Sequence, residues 1–164
     1  MTRIGLISDT HGYLDESVFK YFENCDEIWH AGDFGSRELA ERLKKFKPLK
    51  GVTGNIDGYD LKADFPDMLI FHCEGVKVCI RHIGGYPGRY APGVRTILLK
   101  ECPKLFISGH SHILKIIYDD ALGCLHINPG AAGIQGWHKT KTLVRFVIDG
   151  PYIKNCEVIE LGKR

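Results

Sequence analysis

The chain has 164 residues, about one ordinary domain, which is long enough to hold a core without disulfides or a structural metal. Lysine plus arginine is 22 against 20 aspartate plus glutamate, so the net charge of +2 removes the case for a polybasic nucleic-acid binder or an acidic tail. With 44% hydrophobic and 26% charged residues the chain is globular, and no apolar run reaches the ~18 residues of a membrane span.

In chain order, Ile4–Ser8 reads as a short buried strand. Leu14–Asn24 reads as a helix, with Val18, Phe19 and Phe22 on one face. Glu27–His30 is a second short strand. Ser36 is the N-cap of a second helix, whose apolar stripe is Leu39, Ala40 and Leu43 and whose end is set by Pro48. Leu49–Thr53 is a third strand, and this β-α-β-α-β pattern favours a parallel sheet with right-handed crossovers. Met68–Cys73 and Val76–Arg81 flank Glu74-Gly75 as a hairpin. Val94–Glu101 is a helix ended by Pro103, and Leu105–Ser108 is an apolar strand. Ile113–Tyr118, Cys124–Ile127, Thr142–Ile148 and Tyr152–Ile159 then read as a run of antiparallel pairs. The sum is an α/β fold of two mixed sheets face to face with helices outside, and a single domain over residues 1–164. The six cysteines form no C-x-x-C pair and are read as buried, reduced thiols. No apolar signal region precedes Asp9, so a cytoplasmic location is the default expectation.

The informative residues fall where strands end. The first strand runs into Asp9-Thr10-His11-Gly12, the second into Gly32-Asp33 and the third into Gly54-Asn55. Val76–Arg81 runs into His82, and Leu105–Ser108 into Gly109-His110-Ser111-His112. Open α/β sheets gather ligands beyond the carboxyl ends of their strands. Asp9, His11, Asp33, Asn55, His82, His110 and His112 are therefore expected around one site. Residues two apart on an extended segment project to the same side, so Asp9 with His11 and His110 with His112 each offer two donors. Seven N/O side chains exceed the three or four protein ligands of one zinc and suit two divalent ions sharing Asp33. Imidazole and carboxylate without thiolate point to manganese first, with nickel, zinc, iron or cobalt as the alternatives.

The series D-x-H, G-D, G-N, H, G-H-x-H resembles the calcineurin-like metallophosphoesterase superfamily over nearly the whole chain. The short length, Gly54-Asn55-Ile56-Asp57 and Asn128-Pro129-Gly130 resemble its small phosphodiesterase branch, which includes the retromer scaffold subunit, vacuolar sorting protein 29. The resemblance implies a four-layer α/β/β/α sandwich. It implies one ion on Asp9, His11, Asp33 and His112, and another on Asp33, Asn55, His82 and His110. It also implies hydrolysis of a small-molecule or nucleotide phosphodiester by a hydroxide bridging the two ions, with Asp33, Asn55, His82 and His110 as the catalytic set. The alternatives are a non-catalytic metal-binding scaffold for protein–protein interaction that retains the fold, and a phosphomonoesterase using the same site. Two departures stand out. Ile56 follows Asn55 where many members carry a histidine taken as the general acid. His82-Ile83-Gly84-Gly85 inserts a residue into the usual H-G.

Other residues carry two readings each. Arg89, in the Gly/Pro-rich segment 84–93, is a phosphate clamp or a solvated arginine in a turn. His30 supports a ligand or packs at a strand end, and Asp57 supports the Asn55 turn or makes an Asp-Gly turn with Gly58, the turn being favoured. Asn128–Gly133 is a turn or a support for the site. Gln135-Gly136-Trp137-His138 contacts substrate or a second subunit, or is an exposed loop, so self-association stays open.

Overall fold

The computed structural model describes every residue, Met1–Arg164. The first third folds as β1 (Thr2–Ile7), α1 (Ser17–Tyr21), β2 (Glu27–His30), α2 (Arg37–Phe46), β3 (Leu49–Gly51) and α3 (Tyr59–Lys62). Then follow β4 (Met68–Cys73), β5 (Val76–Arg81), the two-residue strands β6 (Gly85–Tyr86) and β7 (Arg89–Tyr90), and α4 (Val94–Glu101). The chain closes with β8 (Leu105–Ile107), β9 (Leu114–Asp119), β10 (Cys124–Pro129), β11 (Thr140–Asp149) and β12 (Tyr152–Lys163). One five-stranded sheet has the order β12-β11-β1-β2-β3 and the other β4-β5-β8-β10-β9.

Alternation along each strand makes the layers. On β1, Ile4 and Leu6 enter the core between the sheets, whereas Ile7 faces the helix side with Val18, Phe22, Leu39 and Leu43. Trp29 likewise faces inward, edge-on to Phe71 and Phe146, while Ile28 faces the helices. In the second sheet Val78, Ile80, Leu105 and Ile107 point inward, while Cys79 and Phe106 meet Val94 and Leu98 of α4. Three apolar clusters between four layers are the α/β/β/α sandwich that the resemblance implied.

The structure corrects several local expectations. The helix expected over Leu14–Asn24 is only five residues long. The Asp15 carboxylate accepts from Ser17 N (3.0 Å) and Ser17 Oγ (2.6 Å), which fixes the chain before residue 17 in a turn. After Tyr21 the Cys25 N–H donates to Phe22 O and the chain tightens into another turn. The second half is not a simple antiparallel run: β8 lies parallel to both β5 and β10, and β11 crosses to the first sheet to pair antiparallel with β1. Apolar alternation identifies a strand but not its partner. Neither the short α3 nor the β6–β7 ribbon is among the expected elements. Among the thiols, Cys102 and Cys156 are exposed rather than buried, and all six are unpaired.

Gly5 places β1 under α1, because a Cβ there would stand 2.6 Å from the ring of fully buried Phe22. Gly5→Ala is expected to destabilise the fold by about 1–3 kcal/mol through overpacking, read as a fall in the urea midpoint at unchanged slope.

Candidate metal centre

The seven candidate donors converge at the strand ends, but the backbone achieves this differently from the extended geometry expected. Asp9, His11, Asp33, His110 and His112 all have positive φ, between 46° and 68°. Left-handed backbone at non-glycine residues costs about 1–3 kcal/mol each and is retained where surrounding structure imposes it. Here Asp9 N donates to Gly32 O and His11 N to Asp33 O, both at 3.0 Å. Gly109 N donates to His82 O at 2.9 Å, so each donor loop is tied to its neighbour through main chain.

The donors form two groups. Ligand atoms of Asp9, His11 and His112 lie within 4.8 Å of one another, and so do those of Asp33, His82 and His110. Asn55 joins the second group, its Oδ1 standing 3.0 Å from His82 Nε2 and 3.1 Å from His110 Nδ1. The groups share a border. Asp33 Oδ2 is 3.1 Å from His82 Nε2 and 3.5 Å from His11 Nε2, and Asp9 Oδ1 is 3.2 Å from His112 Nε2 and 3.8 Å from His82 Nε2. Asp9 Oδ1 and His11 Nε2 are buried and make no hydrogen bond. Unsatisfied buried donors and acceptors are rare in folded proteins, and a cluster of them facing one point fits cation coordination.

The electrostatics agree with that fit. Burial pushes Asp9 upward, but His11, His112, His82 and the Ser8 hydroxyl together hold its carboxyl well below the usual range. Burial likewise opposes ionisation of Asp33, and His82 with the Ile56 N–H overcomes it. Asp9 raises His11, with burial opposing; burial lowers His82 but Asp33 outweighs it, so His82 is raised as well. Both floor carboxylates are therefore anionic and call for positive charge. His82 Nδ1 lies 2.8 Å from Ala31 O, which directs Nε2 toward Asp33.

Partners behind the donors fix their aim. Ser8 Oγ donates to Asp9 Oδ2 at 2.6 Å, and His110 N donates to the same oxygen. Asp57 supports the site rather than a local turn alone: its carboxylate accepts from Phe34 N, Gly35 N and Gly54 N, tying the Asp33 loop to the Asn55 loop. Asn128 Nδ2 donates to Gly109 O and Ser111 Oγ, bracing the His110–His112 loop. Gly133 N donates to Asp9 O. His138 packs edge-on against His112 at 5.2 Å and lies 2.7 Å from Gly133 O, while Trp137 beside it is almost fully exposed. His30 is fully buried, stacked on Phe34, with Nε2 3.0 Å from Thr10 Oγ1 and Nδ1 accepting from Gly32 N. It both packs and positions.

Arg89 is not brought to the donor groups. It lines a separate cavity with Arg95, Tyr90 and Asp119, on the rim formed by β7 and the start of α4. A different cavity, of about 240 Å³, adjoins Asn55 and His82 and is lined by Lys62, Arg81, Ile83 and Asp67. The sequence does not single out Lys62, Arg81 or Ser8, because nothing in their spacing links them to the motif series, whereas His138 lies in the flagged segment Gln135–His138.

Residues 2–150 match the calcineurin-like phosphoesterase superfamily domain, and the chain belongs to that superfamily. A probable metallophosphoesterase of Methanothermobacter thermautotrophicus is 30% identical over 166 residues, covering 97% of this chain and 92% of its own length. Vps29 from Chaetomium thermophilum shares the fold with a TM-score of 0.76 at 17% identity, over 100% of both chains. A predicted phosphoesterase from Streptococcus pneumoniae shares it with a TM-score of 0.71 at 22% identity, over 97% of this chain and 89% of its own.

Burial pushes the His30 imidazole down to about 3 in the folded protein. Unfolded His30 takes up a proton near pH 6.5, so between the two values the unfolded state binds more protons and stability falls with falling pH. Stability of the metal-free protein, followed in urea from pH 6.5 to 4.5, is expected to lose about 1.4 kcal/mol per pH unit from this residue. His126, pushed down to about 4 by burial, acts in the same direction. His30→Asn keeps an acceptor for Gly32 N and is expected to reduce the slope by about one proton. An unchanged slope would refute the assignment.

Proposed function

We propose that this chain, as one domain over residues 1–164, is a metal-dependent phosphodiesterase that hydrolyses a small-molecule or nucleotide diester at two divalent ions. The carrying observation is the pair of three-donor groups meeting at Asp33 Oδ2 and Asp9 Oδ1. Asp9, His11, Asp33 and His112 would hold one ion, and Asp33, Asn55, His82 and His110 the other. Manganese is the first expectation for this N/O donor set, ahead of nickel, zinc, iron or cobalt. When bound, such ions lower the pKa of coordinated water and offset charge on a phosphoryl group.

The chain's own residues do the rest. Ile56 N and His82 orient Asp33, Ser8 and His110 N orient Asp9, and the Ala31 carbonyl orients His82. The Asn55-Ile56 turn brings no acid to the departing oxygen, because Ile56 has no proton to give. Protonation there falls to solvent, so esters whose leaving groups are stable as anions are turned over fastest.

The name of the archaeal relative supports a phosphoester hydrolase; preference for diesters over monoesters is our inference. The likeness to Vps29 speaks to the fold, and a scaffold role remains the competing reading. No helix is long and apolar enough to cross a membrane, and six unpaired thiols fit the reducing environment of a cytoplasmic location.

The test is metal removal with a chelator, then assay with manganese, nickel, zinc or magnesium on bis-p-nitrophenyl phosphate and p-nitrophenyl phosphate. Metal-restored turnover of the diester above the monoester is expected. No turnover of either with any ion favours the scaffold. Asp33→Asn is expected to lower kcat/KM on the order of a hundredfold or more. It removes the negative charge that both ions would share, and loss of an outer partner alone costs about 10–100-fold.

A further inference from the structure

The cavity beside Asn55 and His82 carries a charge pattern that the two-ion site does not use. Lys62, at the end of α3, and Arg81, the last residue of β5, both line it. Neither side chain makes a hydrogen bond or an ion pair. Their neighbours behave differently. Lys77, at the other end of the same strand, pairs with Glu101 at 2.9 Å, and Arg37 and Lys44, on the helix beside α3, both pair with Asp64. One carboxylate, Asp67, lines the cavity, and it already accepts from Thr53 Oγ1 at 3.1 Å. Two uncommitted cations thus face one concavity whose wall includes candidate ligands of the second group only: Asp9, His11 and His112 do not line it.

The asymmetry bears on substrate. A scissile phosphate held over both groups would be centred between them. Cations confined to the Asn55–His82 side would meet something attached to that phosphate on that side. Guanidinium and ammonium groups beside Ile83, in an open concavity, are suited to a second compact anion. We propose that Lys62 and Arg81 form a subsite for a second anionic group, so that preferred substrates carry a phosphate or carboxylate beyond the phosphorus that reacts. Resting on the two-ion reading for the position of the first phosphate, this narrows the substrate class from any small diester to one charged on its Asn55–His82 side.

The experiment measures binding, not turnover. Manganese-loaded protein is titrated by calorimetry with adenosine 5′-monophosphate and with adenosine 3′,5′-bisphosphate. The second phosphate is expected to tighten binding of the wild type by about tenfold or more, the worth of a charge-assisted contact at a partly exposed site. The double variant Lys62→Met/Arg81→Gln is expected to bring the two affinities within about twofold of each other, and Lys62→Arg/Arg81→Lys to restore most of the difference. Lys62 is exposed and Arg81 partly so, and thermal melts of each variant verify the fold. Equal affinities in the wild type, or a difference that survives the double variant, overturns the proposal. Adenosine 3′,5′-bisphosphate against 3′-O-carboxymethyladenosine 5′-monophosphate then tells a phosphate subsite from a general anion subsite. The failures are separable. A manganese titration without heat sinks the two-ion reading, while the same nucleotides titrated into metal-free protein still report whether Lys62 and Arg81 favour the extra charge.

Discussion

Two carboxylates buried at one point are the constraint from which the rest of this site follows. Asp9 is fully buried and Asp33 nearly so. A buried carboxylate is costly unless opposite charge and donors surround it, and two together repel. The chain answers with His11, His82 and His112 at 3.1–3.8 Å from carboxylate oxygens, and with the Ser8 hydroxyl and main-chain N–H groups on the remaining oxygens. The carboxylates raise the pKa of His11 and of His82, which favours protons on those two rings. Metal coordination requires neutral imidazole, so ion binding releases those protons and weakens as pH falls.

The geometry has a conformational cost as well as an electrostatic one. Five donors sit in left-handed backbone, a set of strained residues in one small region. The sheets make this tolerable. Ile4, Leu6, Trp29, Ile80 and Ile107 lock the strands into the core between the layers, and the loops then hang from rigid ends. Burial of such side chains contributes about 1.5–3 kcal/mol each, comparable to the strain at each donor. Rigid strands with strained tips are how the fold holds donors together that would otherwise separate to relieve charge and backbone.

Most of this was legible in the sequence, for identifiable reasons. Strand ends were marked by apolar runs meeting Asp, Gly-Asp, Gly-Asn or His, so the seven donors could be named and expected in one place. Helix α2 was readable from Ser36, whose Oγ accepts from Leu39 N at 3.2 Å. What stayed hidden was non-local. The pairing of β11 with β1, and the parallel placing of β8 between β5 and β10, depend on contacts that no local pattern encodes. Asp57 looked like a turn residue because its neighbour is Gly58, yet its carboxylate reaches back to Phe34 and Gly35. Arg89 attracted notice through its Gly/Pro-rich surroundings, whereas the cations beside the donors, Lys62 and Arg81, lie in unremarkable segments that only the tertiary fold brings together.

The same sandwich serves more than one purpose among known proteins, so the fold carries little weight in choosing between a hydrolase and a scaffold. The local energetics bear instead on ion binding, which a hydrolase and a metal-binding scaffold share. A surface used only for docking gains nothing from burying Asp9 and Asp33, from leaving Asp9 Oδ1 and His11 Nε2 without hydrogen bonds, or from holding five donors at positive φ. Each of these could be relieved by a single substitution: glycine at a left-handed position, asparagine for a buried carboxylate, an apolar residue for an unsatisfied imidazole. All of them occur together around one point, with Asp57, Asn128 and Ser8 bracing it from behind. That concentration of unfavourable local choices is intelligible if ions occupy the point and repay the cost.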